Sequence, residues 1–144
     1  MGASDWHYVT PYSGSPQRSL DALRQAEFAA HWAGQEYDTL QELWADEEFM
    51  DEQGTHSILD IRHAVEDSSE PLGFEDVGSV RPLPPQSLLD HFGTERPTVE
   101  QFTRVLAESP YLRDEIDWRW TGKYVLLHTH GEPTHLGIFG RSGD

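Results

Sequence analysis

The amino-acid sequence predicts a single α+β domain over residues 1–144, with a mainly antiparallel sheet, two helix pairs and a C-terminal β-hairpin. Its length of 144 residues is typical of one domain. Strand-like and helix-like segments are grouped in the order strand, two helices, strands, two helices and hairpin, which is expected of an α+β protein. Cysteine is absent, so disulfides, thiolate metal sites and a cysteine nucleophile are excluded.

A short strand and a helix open the chain. Residues 6–10 are rich in β-forming side chains and precede a proline, which indicates a strand at the edge of a sheet. Ser15 is a suitable N-cap and Pro16 a suitable first helical residue. We expect this helix to continue to about Ala33 and to end at Gly34. The spacing of its apolar residues predicts a buried face made of Leu23, Ala26, Ala30 and Ala33.

A second helix and a strand are predicted next. Residues 39–42 match a capping box, so the helix is expected to begin at Asp38 or Thr39 and to fray near Glu48. Its apolar stripe consists of Leu40, Leu43 and Trp44. Residues 54–62 show the clearest strand pattern of the chain. One face of that strand would carry Leu59, Ile61 and Val65, and the other Ile58, Asp60 and Arg62.

The second half of the chain is predicted to contain two helices and the hairpin. Helices are expected over residues 84–92, closed by Gly93, and over residues 98–109 before a proline. Two segments rich in apolar and β-branched residues then follow, separated by a turn. This pattern predicts a β-hairpin over residues 124–139, with its turn at residues 130–133.

The net charge of −16 is distributed unevenly along the chain. Between Glu36 and Asp76 there are fourteen acidic residues and one basic residue, Arg62, which leaves a charge of −13. The remaining residues carry twelve acidic and nine basic side chains, a charge of −3. A one-sided negative field repels nucleic acid and anionic membranes and attracts basic proteins. The simpler interpretation is a solvated acidic surface that keeps the protein soluble.

Two large apolar residues, Phe49 and Met50, lie within this acidic stretch. An acidic rim around exposed apolar side chains is typical of a protein-binding surface; alternatively, both side chains lie in the core. The predicted contact residues are Asp46, Glu47, Glu48, Phe49, Asp51 and Glu52. The first functional hypothesis is therefore an acidic protein-binding or inhibitory domain without a cofactor, such as an immunity protein that neutralises a basic toxin.

Histidines near the C-terminus support a second hypothesis. His128 and His130 are spaced to share one strand face, and a tight turn would place His135 opposite one of them. Imidazoles at this spacing can bind zinc, with His56 or a carboxylate as a further ligand. The alternative function is a small enzyme or small-molecule-binding domain of a biosynthetic pathway that uses these histidines. The simpler interpretation is that these histidines are solvated polar residues at the tip of the hairpin.

The sequence lacks the motifs of several large enzyme classes. No G-x-S-x-G nucleophile elbow, P-loop or dinucleotide-binding fingerprint occurs. The N-terminus has neither the charged nor the apolar region of a signal peptide, and no apolar run approaches the ~20 residues of a membrane span. We therefore expect a cytoplasmic protein that binds neither nucleic acid nor membrane.

Several landmarks are spread over the chain. They are Tyr8-x-x-Pro11-Tyr12, the run Gly54 to Ile61, Leu83-Pro84, Phe92-Gly93-Thr94 to Pro97-Thr98, and the final hairpin. In these landmarks and in its length, the sequence resembles a group of small bacterial proteins. The resemblance spans nearly the whole chain and implies one compact domain. It implies no activity, cofactor or site residue.

Overall fold

The computed structural model describes residues 3–67, 73 and 76–143. Five strands lie in this part of the chain: β1 (Ala3–Pro11), β2 (His63–Ala64), β3 (Ser79–Pro82), β4 (Thr121–Thr129) and β5 (Glu132–Gly143). Its α-helices are α1 (Pro16–His31), α2 (Leu40–Ala45), α3 (Glu47–Glu52), α4 (Pro85–Phe92) and α5 (Val99–Glu108). Two 3-10 turns cover Ile58–Asp60 and Leu112–Glu115.

The strands form one sheet in the order β1-β5-β4-β3-β2. The long ladders, β1 with β5 and β4 with β5, are antiparallel, whereas the short ladders of β4 with β3 and β3 with β2 are parallel. Helices α4 and α5 lie between β3 and β4 in the chain and provide the crossover that a parallel pair requires. The sheet is therefore mixed, and the predicted α+β class of a single compact domain is confirmed.

Helices cover both faces of this sheet. One core joins α1, α2 and the first 3-10 turn to residues such as Trp6, Tyr124 and Ile138. The other joins α4, α5 and the second 3-10 turn to Val125, Leu127 and Phe139. Because successive strand residues point to opposite faces, neighbours such as Tyr124 and Val125 belong to different cores.

The buried face of α1 differs from the predicted one. Leu20, Arg24 and Phe28 are buried, whereas Ala26, Ala30 and Ala33 are exposed and Leu23 is half-buried. The prediction was wrong because it considered apolar residues alone. It therefore left out Arg24, whose guanidinium is buried but forms hydrogen bonds inside the protein. The Arg24 guanidinium donates to the carbonyl oxygens of Ile61, at 3.0 Å, and Arg62, and it pairs with Asp21.

The predicted strand over residues 54–62 was also wrong. Ile58, Leu59, Asp60 and Ile61 are all buried, so the segment has no alternating faces, and residues 63–64 alone pair with the sheet as β2. The backbone turns because the Asp60 carboxylate accepts hydrogen bonds from the main-chain nitrogens of Thr55, at 2.6 Å, and His56, at 3.0 Å. Local side-chain bonds of this kind compete with strand pairing.

The C-terminal hairpin is confirmed. Strands β4 and β5 are joined by the two residues His130 and Gly131, whose φ angles are 54° and 80°. Two successive positive φ angles are the mark of a tight turn that matches the twist of a hairpin, and glycine adopts such an angle without steric cost.

Candidate functional site

The longest uncompensated run of acidic side chains lies at residues 36–52, which include α2 and α3. We call its eight carboxylates the acidic surface: Glu36, Asp38, Glu42, Asp46, Glu47, Glu48, Asp51 and Glu52. Seven of them are exposed and Asp46 is half-buried. This run contains no lysine, arginine or histidine. In the described part of the chain, the ion pairs are formed elsewhere, so none of these eight charges is neutralised.

The other acidic residues of the −13 stretch do not all reach this surface. Asp60 and Asp76 are buried, and each is satisfied inside the protein. The Arg81 guanidinium donates to Asp76 at 2.6 Å. Burial opposes ionisation of Asp76, but its bonds from Arg81 and the Gly73 N–H outweigh that effect and hold its pKa below the usual value. Glu70 and Glu75 lie outside the described residues.

Asp46 organises the acidic surface. It ends α2 and caps α3, because its carboxylate accepts from the Phe49 N–H at 3.1 Å. The predicted single helix is thus two short helices that meet at this residue. The Tyr37 hydroxyl also donates to Asp46, at 2.7 Å. These two bonds lower the pKa of Asp46, and the same contact raises the pKa of Tyr37 to about 12.

Phe49 and Met50 are half-buried against the first core, which agrees with the alternative that both contact the protein interior. The Phe49 ring lies edge-on to Trp32, with 5.8 Å between ring centroids. Only part of each of these two apolar side chains is therefore exposed for contact with a partner at this surface. The Met50 side of α3 opens instead onto a groove of about 270 Å³. Its lining residues are Met50, Asp51, Asp60, Arg62, Val77, Gly78 and Trp120.

This groove is a feature that the sequence-based prediction missed. Val77 is 48 % exposed beside it, and Trp120 has a φ of 66°. A bulky residue with positive φ is an outlier, and outliers of this kind cluster at functional sites. Gly54 is the sequence signal that points to the groove, since a Cβ at this position would lie 2.5 Å from the Trp120 ring.

Arg62, the one basic residue of the acidic stretch, lies over an aromatic ring. Its guanidinium carbon is 5.1 Å from the centroid of Trp44, and that of Arg24 is at the same distance from the same centroid. Cation–π contacts of this kind hold Arg62 in place without an ion pair to a carboxylate. The acidic surface therefore keeps its full charge.

The structure does not bring the predicted metal ligands together. His135 pairs with Leu127 in β4 because the ladder register shifts beyond that residue, and His128 pairs with Pro133 instead. His130 lies in the turn. In the part of the chain that the structure describes, no group of three histidine or carboxylate side chains is placed to hold a metal ion. Zinc binding by His128, His130 and His135 stays a prediction, which metal analysis of the purified protein tests.

His56 lies at the far end of the sheet from the hairpin turn. Its Nδ1 is 3.0 Å from the Ser4 hydroxyl. Ser4 pairs with Ser142, whereas His135 lies seven positions earlier in β5. At about 3.3 Å per strand residue, this corresponds to roughly 23 Å. His56 is therefore too far away to share a site with the hairpin histidines.

Comparison of the chain with protein-family models, curated proteins and solved structures finds no match. The resemblance to small bacterial proteins therefore stays a prediction. Within residues 3–67, 73 and 76–143, the protein contains no helix with the length and apolar character needed to span a membrane.

Proposed function

We propose that this protein is an acidic binding domain that captures a basic protein, in the manner of an immunity protein that neutralises a basic toxin. The observation that carries the proposal is the acidic surface. Eight carboxylates lie within residues 36–52, five of them in the short helices α2 and α3, and none has a cationic partner in the described structure. Such a surface costs electrostatic self-repulsion, which contact with a cationic partner relieves.

Capture would combine electrostatic attraction with a smaller apolar contribution. Clustered like charges raise the association rate of an oppositely charged partner by about 10- to 1,000-fold, and the gain is lost at high salt. The groove beside Met50 and Asp51 adds a concave feature with a mixed polar and apolar lining at the edge of this surface, and Met50, Val77 and Trp120 provide its apolar part. A side chain of the partner that enters this groove would provide the buried contact on which affinity depends.

The alternative function, a small enzyme or ligand-binding domain built on His56 and the hairpin histidines, has less support. The strand register separates His56 from His135 by roughly 23 Å, so these residues do not line one pocket. Stoichiometric zinc that is lost when His128 or His130 is replaced would favour the alternative.

The experiment uses a fluorescent oligolysine peptide as a cationic probe. Its affinity is measured for the protein and for a variant that combines E47Q, E48Q, D51N and E52Q. A matched control combines E100Q, E108Q, D114N and E132Q, which removes four exposed charges elsewhere. Both variants change the net charge from −16 to −12, so overall charge cannot explain a difference between them.

We expect the first variant to bind oligolysine about tenfold more weakly than the control, because each lost ion pair makes a small contribution that adds to the others. Binding should also weaken strongly between about 0.01 M and 1 M salt, since the Debye length falls from about 30 Å to about 3 Å. Equal affinities of the two variants would show that the charge at residues 36–52 does not direct the partner, and would refute the proposal.

A further inference from the structure

A second concave site lies at the opposite end of the sheet from the groove. Strand β3 ends at Pro82, whereas its neighbour β4 continues to Thr129. The part of β4 that extends beyond β3 borders a cleft of about 670 Å³, a size typical of ligand-binding sites. The cleft shares no lining residue with the acidic surface.

The main chain of Leu126 faces this cleft. The Tyr124 carbonyl oxygen accepts from Leu83 N–H at 3.1 Å, and His128 N–H donates to the Pro97 carbonyl oxygen at 2.8 Å. Both bonds leave β4 on the side away from β5. Since main-chain groups of alternate strand residues point to the same side, the N–H and C=O of Leu126 point there too. Leu126 is opposite Leu136 of β5 in the ladder, but on the side that faces away from β5, between β3 and Pro97, no strand of the described residues lies beside it.

The walls of the cleft provide apolar surface and a few charged groups. Leu83 and Leu88 line it, as do the charged residues Glu66, Glu95 and Arg96. None of these three charged side chains takes part in an ion pair of the described structure. Their formal charges sum to −1, so the cleft complements a single positive charge.

His128 adds a polar atom at one end. Its Nδ1 is buried and has no hydrogen-bond partner within the described part of the protein. Buried polar atoms are nearly always satisfied. Because this nitrogen is closed to solvent, a ligand in the cleft would reach it only after the imidazole ring turns toward the cleft.

We propose that the cleft binds a short, extended, singly positive peptide segment, whose main chain pairs with Leu126. One peptide residue would donate its N–H to the Leu126 oxygen and accept the Leu126 N–H, as in strand addition to a sheet edge. Tyr124 and His128 already bond Leu83 and Pro97, so the open stretch runs from Val125 to Leu127. It is about 7 Å long at 3.3 Å per residue, which lets one peptide residue pair with Leu126 while its neighbours lie in the cleft. The positive group would lie near Glu66 or Glu95, and apolar side chains would contact Leu83 and Leu88.

The test uses NMR spectra of the ¹⁵N-labelled protein titrated with a lysine-centred tripeptide that is acetylated and amidated at its ends. We expect a saturable shift of the Leu126 amide resonance and slower exchange of its hydrogen. A tripeptide with N-methylated amides should lose this effect, because it cannot donate to the Leu126 oxygen. A glutamate-centred tripeptide should bind more weakly.

Matched variants locate the site. L88W places a large ring in the cleft and should abolish the shift, whereas L89W changes the neighbouring residue, which is 43 % exposed on the same helix and does not line the cleft. E66Q, at an exposed position, tests the charge without a risk to folding. Equal binding of the N-methylated peptide, or shifts confined to residues 36–52, would overturn the proposal. Neither outcome counts against the acidic-surface proposal, which the charge variants test separately.

Discussion

Replacement of Gly54 by alanine tests the packing that joins the acidic surface to the sheet. Gly54 is buried directly after α3, with a φ of 68°. An added Cβ would lie 2.5 Å from Cζ3 and 2.8 Å from Cη2 of Trp120, and 3.0 Å from Oδ1 of Asp60. The Trp120 ring also lies close to Gly143, where an added Cβ would be 2.6 Å from the indole nitrogen, so the ring has little room to move away.

The cost has two parts. An L-residue in a left-handed conformation costs about 1–2 kcal/mol relative to glycine. Overpacking of a filled interior costs about 1–3 kcal/mol more. The G54A variant should therefore lose about 2–5 kcal/mol of the free energy of unfolding. Gly34 is the matched control, since its φ is 79° and nothing lies within 4 Å of an added Cβ. The G34A variant should lose only the cost of the left-handed conformation, about 1–2 kcal/mol.

Urea denaturation measures both free energies of unfolding, with an unchanged slope showing that the same surface is exposed. The change in unfolded-chain entropy on replacing glycine by alanine is common to both variants and cancels in the difference. If G54A destabilised the protein no more than G34A, the close contact between residue 54 and Trp120 would be refuted.

Three further predictions concern the buried and bridging carboxylates. The D60A variant should lose about 2–5 kcal/mol of unfolding free energy in thermal denaturation, because Thr55 N–H, His56 N–H and the Ser142 hydroxyl lose their acceptor; D60N, which keeps one oxygen, should lose less, and equal losses would contradict this. Since the pKa values of Asp46 and Asp76 are lowered on folding, their ionised forms stabilise the folded state above about pH 4, and this stability is lost as pH falls below that value. Urea denaturation across this acidic range should show a shallower loss for D76N than for the unmodified protein, and parallel curves would argue against the ion pair. Ultraviolet titration should show Tyr37 ionising near pH 12, and D46N should move that ionisation toward the usual value of about 10; an unchanged titration in D46N would rule out Asp46 as the cause.

The features that sequence reasoning predicted well depend on neighbours in the chain. Ser15 caps α1 through a bond to the residue three positions later, α5 begins next to the predicted start at residue 98, where Thr98 is its cap, and the His130–Gly131 turn sets the hairpin. The excess of acidic residues is a property of composition. Each of these depends on interactions within a few residues, so the sequence reports them directly.

The errors have a different origin. The strand pattern of residues 54–62 was overridden by Asp60, whose carboxylate also accepts from Ser142, 82 residues away. Likewise, Arg24 is buried because it bonds carbonyl oxygens at Ile61 and Arg62. Hydrophobic periodicity treats polar side chains as exposed, and it cannot identify distant partners that satisfy them.

The sequence by itself determined the α+β class, the helix caps, the hairpin and the concentration of charge, because these arise from local bonding and from composition. Only the tertiary structure decided which carboxylates reach the surface, that His56 and the hairpin histidines lie far apart, and that Leu126 faces an open cleft. These features depend on strand register and on the unequal lengths of β3 and β4. Register and pairing join segments that are remote in the chain, and they are settled by the packing of the whole sheet.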